Sequence, residues 1–135
     1  MPFLLVLVLG LTDFGRAFHY WIDTTHIANL TARYATVNKN PGASVPRSLQ
    51  RHMELQASTK ALRDGSSRTT PVDVCISFPA GTSNVGDPVA VEVKSTWSWL
   101  GFLIGRTGIA PSSLIKGRAT MRLEAKPTNY VAGCA

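Results

Sequence analysis

The chain has 135 residues, of which 44% are hydrophobic and 16% are charged. This composition excludes a disordered chain and predicts one folded domain of modest size. Fourteen lysines and arginines against eight aspartates and glutamates give a formal charge of +6. The excess favours a negatively charged partner or surface, such as phospholipid, cell-wall polymer or nucleic acid.

The chain opens with an apolar run from Pro2 to Leu11, which ends where Asp13 and Arg16 bring charge into the sequence. As a helix, this run would cross only about half of the ~30 Å hydrocarbon layer of a bilayer. One interpretation extends the span to Ile22. That extension places both charges in lipid at roughly 2.5 to 3.5 kcal/mol each, eased only partly by their pairing at i, i+3.

Two further interpretations of this run stay open. A cleaved signal peptide needs an apolar core of only about 7 to 15 residues, but no basic segment precedes the run and no small-x-small cleavage site follows it. Alternatively, the natural protein begins upstream of Met1, and about ten more apolar residues complete the span. We favour this last interpretation, which places Asp13 and Arg16 at the outer interface of the bilayer, with Tyr20 and Trp21 just beyond.

Residues 2 to 36 are predicted to form one helix, because no proline follows Pro2 in this segment and Gly10 and Gly15 are its only glycines. Beyond Asp13, apolar residues recur at helical spacing, which predicts a face packed against protein. We therefore expect the first third of the helix to lie in lipid and its aromatic half to cover a sheet. The recurring residues are Phe14, Phe18, Trp21, Ile22, Ala28, Ala32 and Ala35.

The rest of the chain predicts one more helix and then a sheet. Residues 45 to 64 carry an apolar residue at every fourth position, which predicts an amphipathic helix that ends at Gly65. Alternating apolar residues predict strands over 72–78, 89–97 and 115–124. The inward positions of the helix are Leu49, Met53, Ala57 and Ala61.

The predicted fold class is therefore α+β. A membrane-anchoring helix, first transmembrane and then amphipathic, occupies residues 1–36. A head domain occupies residues 37–135, in which a three- to four-stranded antiparallel sheet packs on the first helix. The connection before the third strand is unusually apolar: either it touches a membrane or a partner subunit, or it closes the core. Its large apolar residues are Trp97, Trp99, Leu100, Phe102, Leu103 and Ile104.

The two cysteines, Cys75 and Cys134, have neither CxxC spacing nor a cluster of histidines nearby, which disfavours zinc and thioredoxin-like chemistry. A disulfide is the favoured interpretation, and two unpaired buried thiols are the alternative. A bridge would close a loop of about 60 residues, worth roughly 4 kcal/mol at most, and would require an oxidising compartment. It would thus place the head outside the cytoplasm and the N-terminus inside.

No residue set for catalysis, metal binding or cofactor binding emerges from the sequence, so we expect a non-enzymatic protein without a small-molecule substrate. The basic residues on the last two strands form one candidate face for polyanion binding. Acidic residues interleaved with them predict ion pairs on a solvated face instead, and a location outside the cytoplasm disfavours nucleic acid. The basic candidates are Lys94, Lys116, Arg118 and Arg122, and the interleaved acids are Glu92 and Glu124.

Four segments, "PFLLVLVLGLTDFGRAF", "ANLTARYA", "VGDPVAVEV" and "ATMRLE", resemble in order and spacing the TadE-like family of pilus-assembly pseudopilins. The resemblance extends along nearly the whole chain. In that family a glycine followed five residues on by a glutamate forms a processing site upstream of the apolar proline, and neither can be assigned here. The matching positions are Pro2, Asp13, Phe14, Gly15, Arg16, Ala32, Arg33, Tyr34, Ala35, Gly86, Arg122 and Glu124.

The resemblance implies a pseudopilin-like component of a tight-adherence pilus system. Its partners would be the lipid bilayer and other pilus-assembly subunits, and it would act by association of helices and heads. The alternative from a different functional class is a membrane-tethered module outside the cytoplasm that binds an anionic cell-surface polymer through its basic sheet face.

Overall fold

The computed structural model describes residues 1–42, 48–99 and 111–135. The strands of the described part form one antiparallel sheet in the order β3-β2-β1-β4, with helices packed on one of its faces. The fold is therefore α+β, as predicted. In chain order the elements are α1 (Pro2–Thr36), α2 (Ser48–Glu54), α3 (Lys60–Asp64), β1 (Asp73–Ser77), β2 (Pro88–Ser98), β3 (Ser112–Arg122) and β4 (Gly133–Cys134).

Helix α1 is unbroken over 35 residues, which gives it a length of about 52 Å. Pro2 lies in its first turn, where the missing proline N–H removes no intrahelical hydrogen bond. The first buried residue of α1 is Asp13. Residues 2–12 are therefore exposed or only partly buried among the described residues, whereas buried residues recur from Asp13 to Thr36, where α1 packs on the head.

The predicted continuous helix over 45–64 is wrong. Two short helices, α2 and α3, are separated by residues 55–59; residues 45–47 lie outside the described part. The backbone of Thr59 is extended, and the N–H of Ser58 donates to the Asp23 carboxylate of α1 at 2.9 Å. This bond ties the break between the helices to α1. Gly65 ends α3 with φ of 82°, a left-handed conformation that favours glycine, as the sequence predicts.

The core lies between α1, α2 and the sheet. Alternate strand residues face the helices and are fully buried, as their period-2 pattern predicts. Burial of such side chains contributes about 1.5 to 3 kcal/mol each. The largest members of the core include Ile27, Leu49, Met53, Leu62, Ile76 and Leu123, with Val74, Val89, Val91 and Val93 between them.

Strand β4 is held to β1 by a covalent bond. Cys75 and Cys134 form a disulfide across these two strands at a sequence separation of 59 residues. The pairing is the one favoured from the sequence. The Gln50 amide donates to the carbonyls of Val131 and Gly133 at 2.8 and 3.2 Å, so α2 also fixes the segment leading into β4.

Candidate functional site

The face of α1 that meets the sheet consists mainly of small and hydroxylated residues, with Ile27 and the half-buried Tyr20 as its large members. Ala17, Thr24, Ala28 and Thr31 are buried. The Thr24 and Thr31 hydroxyls donate to carbonyls one turn earlier in α1, at 2.9 and 2.7 Å. Because these hydroxyls are satisfied within the helix, they need no partner in the sheet. The inner face therefore packs as a small, apolar surface.

The closest approach of α1 to the sheet is at Gly117 of β3. A Cβ atom at this position would collide with the Thr24 carbonyl and would lie 2.6 Å from the Thr25 N, well inside van der Waals contact. Only glycine fits at this crossing. The small inner face of α1 and the missing side chain of Gly117 thus bring the two backbones together.

The opposite face of α1 carries the aromatic residues and is exposed. Phe14, Phe18, Trp21 and Ile22 are 61%, 51%, 49% and 49% exposed. The prediction that these residues pack on the sheet is wrong: the sheet accepts the small face, because bulky rings would hold α1 away from Gly117. Of the predicted stripe, Ala28, Ala32 and Ala35 are buried as expected.

The exposed apolar residues continue without interruption from the free end of α1 onto the part that packs on the head. Their spacing alternates between three and four residues, the pattern of a seam between packed helices. Each member is between 49% and 65% exposed, and the rings of the last two lie 5.7 Å apart. We call this surface the α1 stripe; it comprises Leu4, Leu7, Leu11, Phe14, Phe18 and Trp21.

Within the described part of the chain, α1 is the one helix long and apolar enough to cross a membrane, judged by length and composition, and it lies near the N-terminus. None of residues 2–12 is buried, and Phe3, Leu5, Val6 and Val8 are at least half exposed. This end of α1 is thus apolar around its whole circumference. Such a surface is stable in lipid or against other apolar helices.

A charged pair marks the point where α1 meets the head. Asp13 is 5% exposed, and its carboxylate accepts a hydrogen bond from Arg68 Nη2 at 2.8 Å. The Arg68 guanidinium stacks over the Trp97 ring at 4.9 Å and also donates to the Ser98 carbonyl at 3.4 Å. The carboxylate is therefore satisfied by the head and is not left bare beside lipid.

The i, i+3 pairing of Asp13 with Arg16 considered from the sequence is not the one the structure contains. Arg16 is exposed and forms no ion pair with any described residue. Phe14 and Gly15, the other positions of this motif, are also exposed, and no atom lies within 4 Å of a Cβ built on Gly15. Asp13 is thus the member of the motif that packs against the head.

Part of the apolar connection before β3 closes the core. Trp97 is 2% exposed and packs with Ala17 and Ile115, while Trp99 contacts the edge of this cluster. The Trp99 indole donates to the Ser113 hydroxyl at 2.6 Å. Leu100, Phe102, Leu103 and Ile104 lie outside the described residues.

The predicted basic residues lie on the sheet face opposite α1. Lys94 stands opposite Lys116 and Glu92 opposite Arg118 in the β2–β3 register. Arg122 lies on the same face of β3, beyond Thr120. Lys94 Nζ lies 3.0 Å from Glu92 Oε1. This hydrogen bond lowers the pKa of the Glu92 carboxyl, and the charges of Lys116 and Arg118 lower that pKa further. The acid and the bases of this face are therefore paired in part.

The remaining motif positions meet at the C-terminal end of α1. Ala32 and Ala35 are fully buried, Tyr34 is half-buried and Arg33 is exposed. Arg33 lines a cleft of about 600 Å³ together with Arg122 and Glu124 from the end of β3. In the turn before β2, the Gly86 N–H donates to the Leu123 carbonyl at 2.7 Å and its φ is 93°, which secures this end of β3.

Reasoning from the sequence did not find Arg68 or Asp23 as functional positions. Arg68 lies in a turn-rich stretch and gives no periodic signal. The available signal was the carboxylates themselves, because an aspartate on a helix that packs in a core requires a partner. The Asp13 carboxylate accepts a hydrogen bond from Arg68, and the Asp23 carboxylate accepts one from the Ser58 N–H. In comparisons with protein-family models, curated proteins and solved structures, nothing matches this chain.

Proposed function

We propose that this protein is a non-enzymatic, single-pass membrane subunit that assembles by packing α1 against a helix of a second subunit, in the manner of a pseudopilin-like component of pilus assembly. The α1 stripe carries the proposal. It comprises six exposed large apolar residues, and it continues past Asp13, where burial against the head begins. A membrane anchor alone needs no such continuation.

The energetics favour a helical partner for the part of the stripe beyond Asp13. About half of the surface of Phe14, Phe18 and Trp21 is exposed. Burial of apolar surface is favourable by about 25 cal/mol for each Å² removed from water. Within lipid that driving force is absent, and helices associate through close packing. A partner helix packed along the stripe would replace lipid contacts at its leucines. It would also remove the rings of Phe14, Phe18 and Trp21 from water.

The disulfide and the resemblance support the remaining parts of the proposal. A Cys75–Cys134 bridge is stable in an oxidising compartment, which favours a head outside the cytoplasm and an N-terminus inside. The assignment to a pilus system relies on the resemblance of the four sequence segments to TadE-like proteins. The lipid bilayer and other pilus-assembly subunits are the proposed partners.

Site-specific photocrosslinking in native membranes tests the proposal. A photoreactive phenylalanine analogue at position 18 lies in the α1 stripe, and the same analogue at Arg16, exposed on another side of the helix, is the matched control. We expect position 18 to give a protein adduct, to a second copy or to another helical membrane subunit. Position 16 should give at least about fivefold less, because a seam contacts only one side of a helix.

Three results would count against the proposal. Adducts to lipid alone at position 18 would assign the stripe to anchoring. Equal protein adducts at both positions would indicate random collision. Assembly of normal pili by a protein that lacks residues 2–11 would contradict the pilus assignment.

A second candidate function is binding of an anionic cell-surface polymer by the basic sheet face. The observation that favours it is the like-charged pair Lys94 and Lys116 across β2 and β3. Glu92 pairs with Lys94, and an anionic ligand would further reduce the repulsion between the two lysines. Salt separates the two functions: polymer binding would weaken steeply between low and high ionic strength, whereas the helix contact would not.

A further inference from the structure

The C-terminal end of α1 borders two adjoining clefts, of about 270 and 600 Å³, that share Arg33 and Val37. Lys39 lines only the smaller cleft, and Arg122 and Glu124 line only the larger one. The two clefts thus form one groove. Along it the cations follow each other in the order Lys39, Arg33, Arg122, and Glu124 is the one acid among the described lining residues.

The walls of this groove are fixed by hydrogen bonds. Asn38, in the left-handed conformation with φ of 52°, holds the turn after α1: its amide donates to Thr128 Oγ1 at 2.8 Å and accepts from the Thr128 N–H at 2.9 Å. On the other wall, the Thr36 carbonyl accepts the N–H groups of Glu124 and Ala125, both at 3.0 Å. The groove therefore needs little ordering before it binds a ligand.

The cations of the groove are not used by the fold. The Arg33 and Lys39 side chains are exposed and bond to no described residue. Arg122 reaches the Gly86 carbonyl only at 3.5 Å, the limit of a hydrogen bond. Arg33 lies in the last turn of α1, where a cation offsets the helix dipole. The helix dipole accounts for the position of one cation, Arg33, and not for all three.

We propose that this groove binds an acidic, extended segment of another protein chain, with side-chain carboxylates at the cations. Guanidinium groups bind carboxylates through paired hydrogen bonds. A phosphate ion is best held by donors that converge on one point, whereas these cations are distributed over two adjoining clefts, with Val37 lining both and Leu123 lining the larger one. A segment that carries both acidic and apolar residues matches that lining. The proposal is independent of the α1 stripe.

Fluorescence anisotropy of a labelled peptide, Glu-Val-Glu-Val-Glu, with the full chain in detergent micelles tests this inference. The matched peptide Gln-Val-Gln-Val-Gln is the ligand control. We expect the glutamate peptide to bind and the glutamine peptide to bind at least about tenfold more weakly, because charged hydrogen bonds are lost. Arg33→Gln should weaken the glutamate peptide by about tenfold.

The matched protein control is Lys116→Gln, an exposed cation near the middle of β3 that lines neither cleft, which should leave peptide affinity unchanged. Equal binding of the two peptides, an unaffected Arg33→Gln variant, or an equal loss in Lys116→Gln would each overturn the inference. Displacement of the peptide by an equimolar amount of inorganic phosphate would assign the groove to small anions instead. If Arg33→Gln lowers the unfolding temperature, Lys39→Gln in the exposed turn provides the same comparison. None of these variants touches the α1 stripe, so either proposal can fail alone.

Discussion

The two faces of α1 reverse the usual distribution of side chains in a helix that packs on a sheet. The inner face buries alanines, threonines and two aspartates, while the outer face exposes phenylalanine, tryptophan and leucine. In an ordinary surface helix the bulky apolar residues face the core. The reversal indicates that the inner face is built for close approach, whereas the described residues leave the large apolar side chains of the outer face uncovered.

Replacing Gly117, where β3 approaches α1 most closely, should give the largest loss of stability. In Gly117→Val the new side chain would collide with the Thr24 backbone, so α1 must move away from β3. We expect the free energy of unfolding to fall by about 3 kcal/mol or more, measured by urea denaturation in detergent micelles. Gly15→Ala is the control, since Gly15 has open space around it and alanine favours a helix. A valine variant as stable as wild type would show that α1 does not depend on this contact.

Removal of the charge at Asp13 tests whether its ion pair with Arg68 stabilises the contact between α1 and the head. Asp13→Asn leaves the Arg68 guanidinium without its carboxylate, and Arg68 is only 26% exposed. We expect a loss of about 2 kcal/mol, less than for a fully buried pair because water reaches Arg68. Arg16→Gln, on an exposed and unpaired neighbour, should change stability by less than about 0.5 kcal/mol. Equal effects of the two substitutions would argue that the Arg68 pair does not stabilise the junction.

The smallest change in stability should come from the outer face. Phe18→Ser removes a ring that the isolated chain leaves half exposed, so its free energy of unfolding should stay within about 0.5 kcal/mol of wild type. Ala17→Leu, one residue away on the buried face, is the contrast. It should destabilise the protein by more, because the larger side chain overpacks the cluster of Ala17 with Trp97 and Ile115. If Phe18→Ser destabilises the isolated chain by more than Ala17→Leu, the outer face belongs to the core after all.

The strands and the long helix could be predicted because their signals are local. Period-2 alternation located β1, β2 and β3, and the absence of proline defined α1. The choice of the packed face of α1 could not be predicted, because it depends on Gly117, about 90 positions away, and on threonine hydroxyls that are satisfied within the helix. The break at 55–59 depends in the same way on Asp23 of α1.

The candidate surfaces differ in the same way: one follows from local sequence signals, and the other depends on contacts between distant residues. The residues of the basic sheet face follow from strand parity, and their placement required only the register of β2 and β3. The groove at the end of α1 joins residues from "ARYA" and "ATMRLE", and their contact could not be inferred without the fold. Arg68 was missed because a single arginine in a turn carries no pattern that points to Asp13.

Because α1 is unbroken, a change in its tilt at one end displaces its other end. A rod of about 52 Å that tilts by about 10° moves its far end by about 9 Å. Apolar helices adjust their tilt to the thickness of the surrounding hydrocarbon layer. With residues 2–12 anchored in a bilayer as proposed, its lipid composition would set the height and direction at which Arg33 and its neighbours are presented, without any rearrangement inside the head.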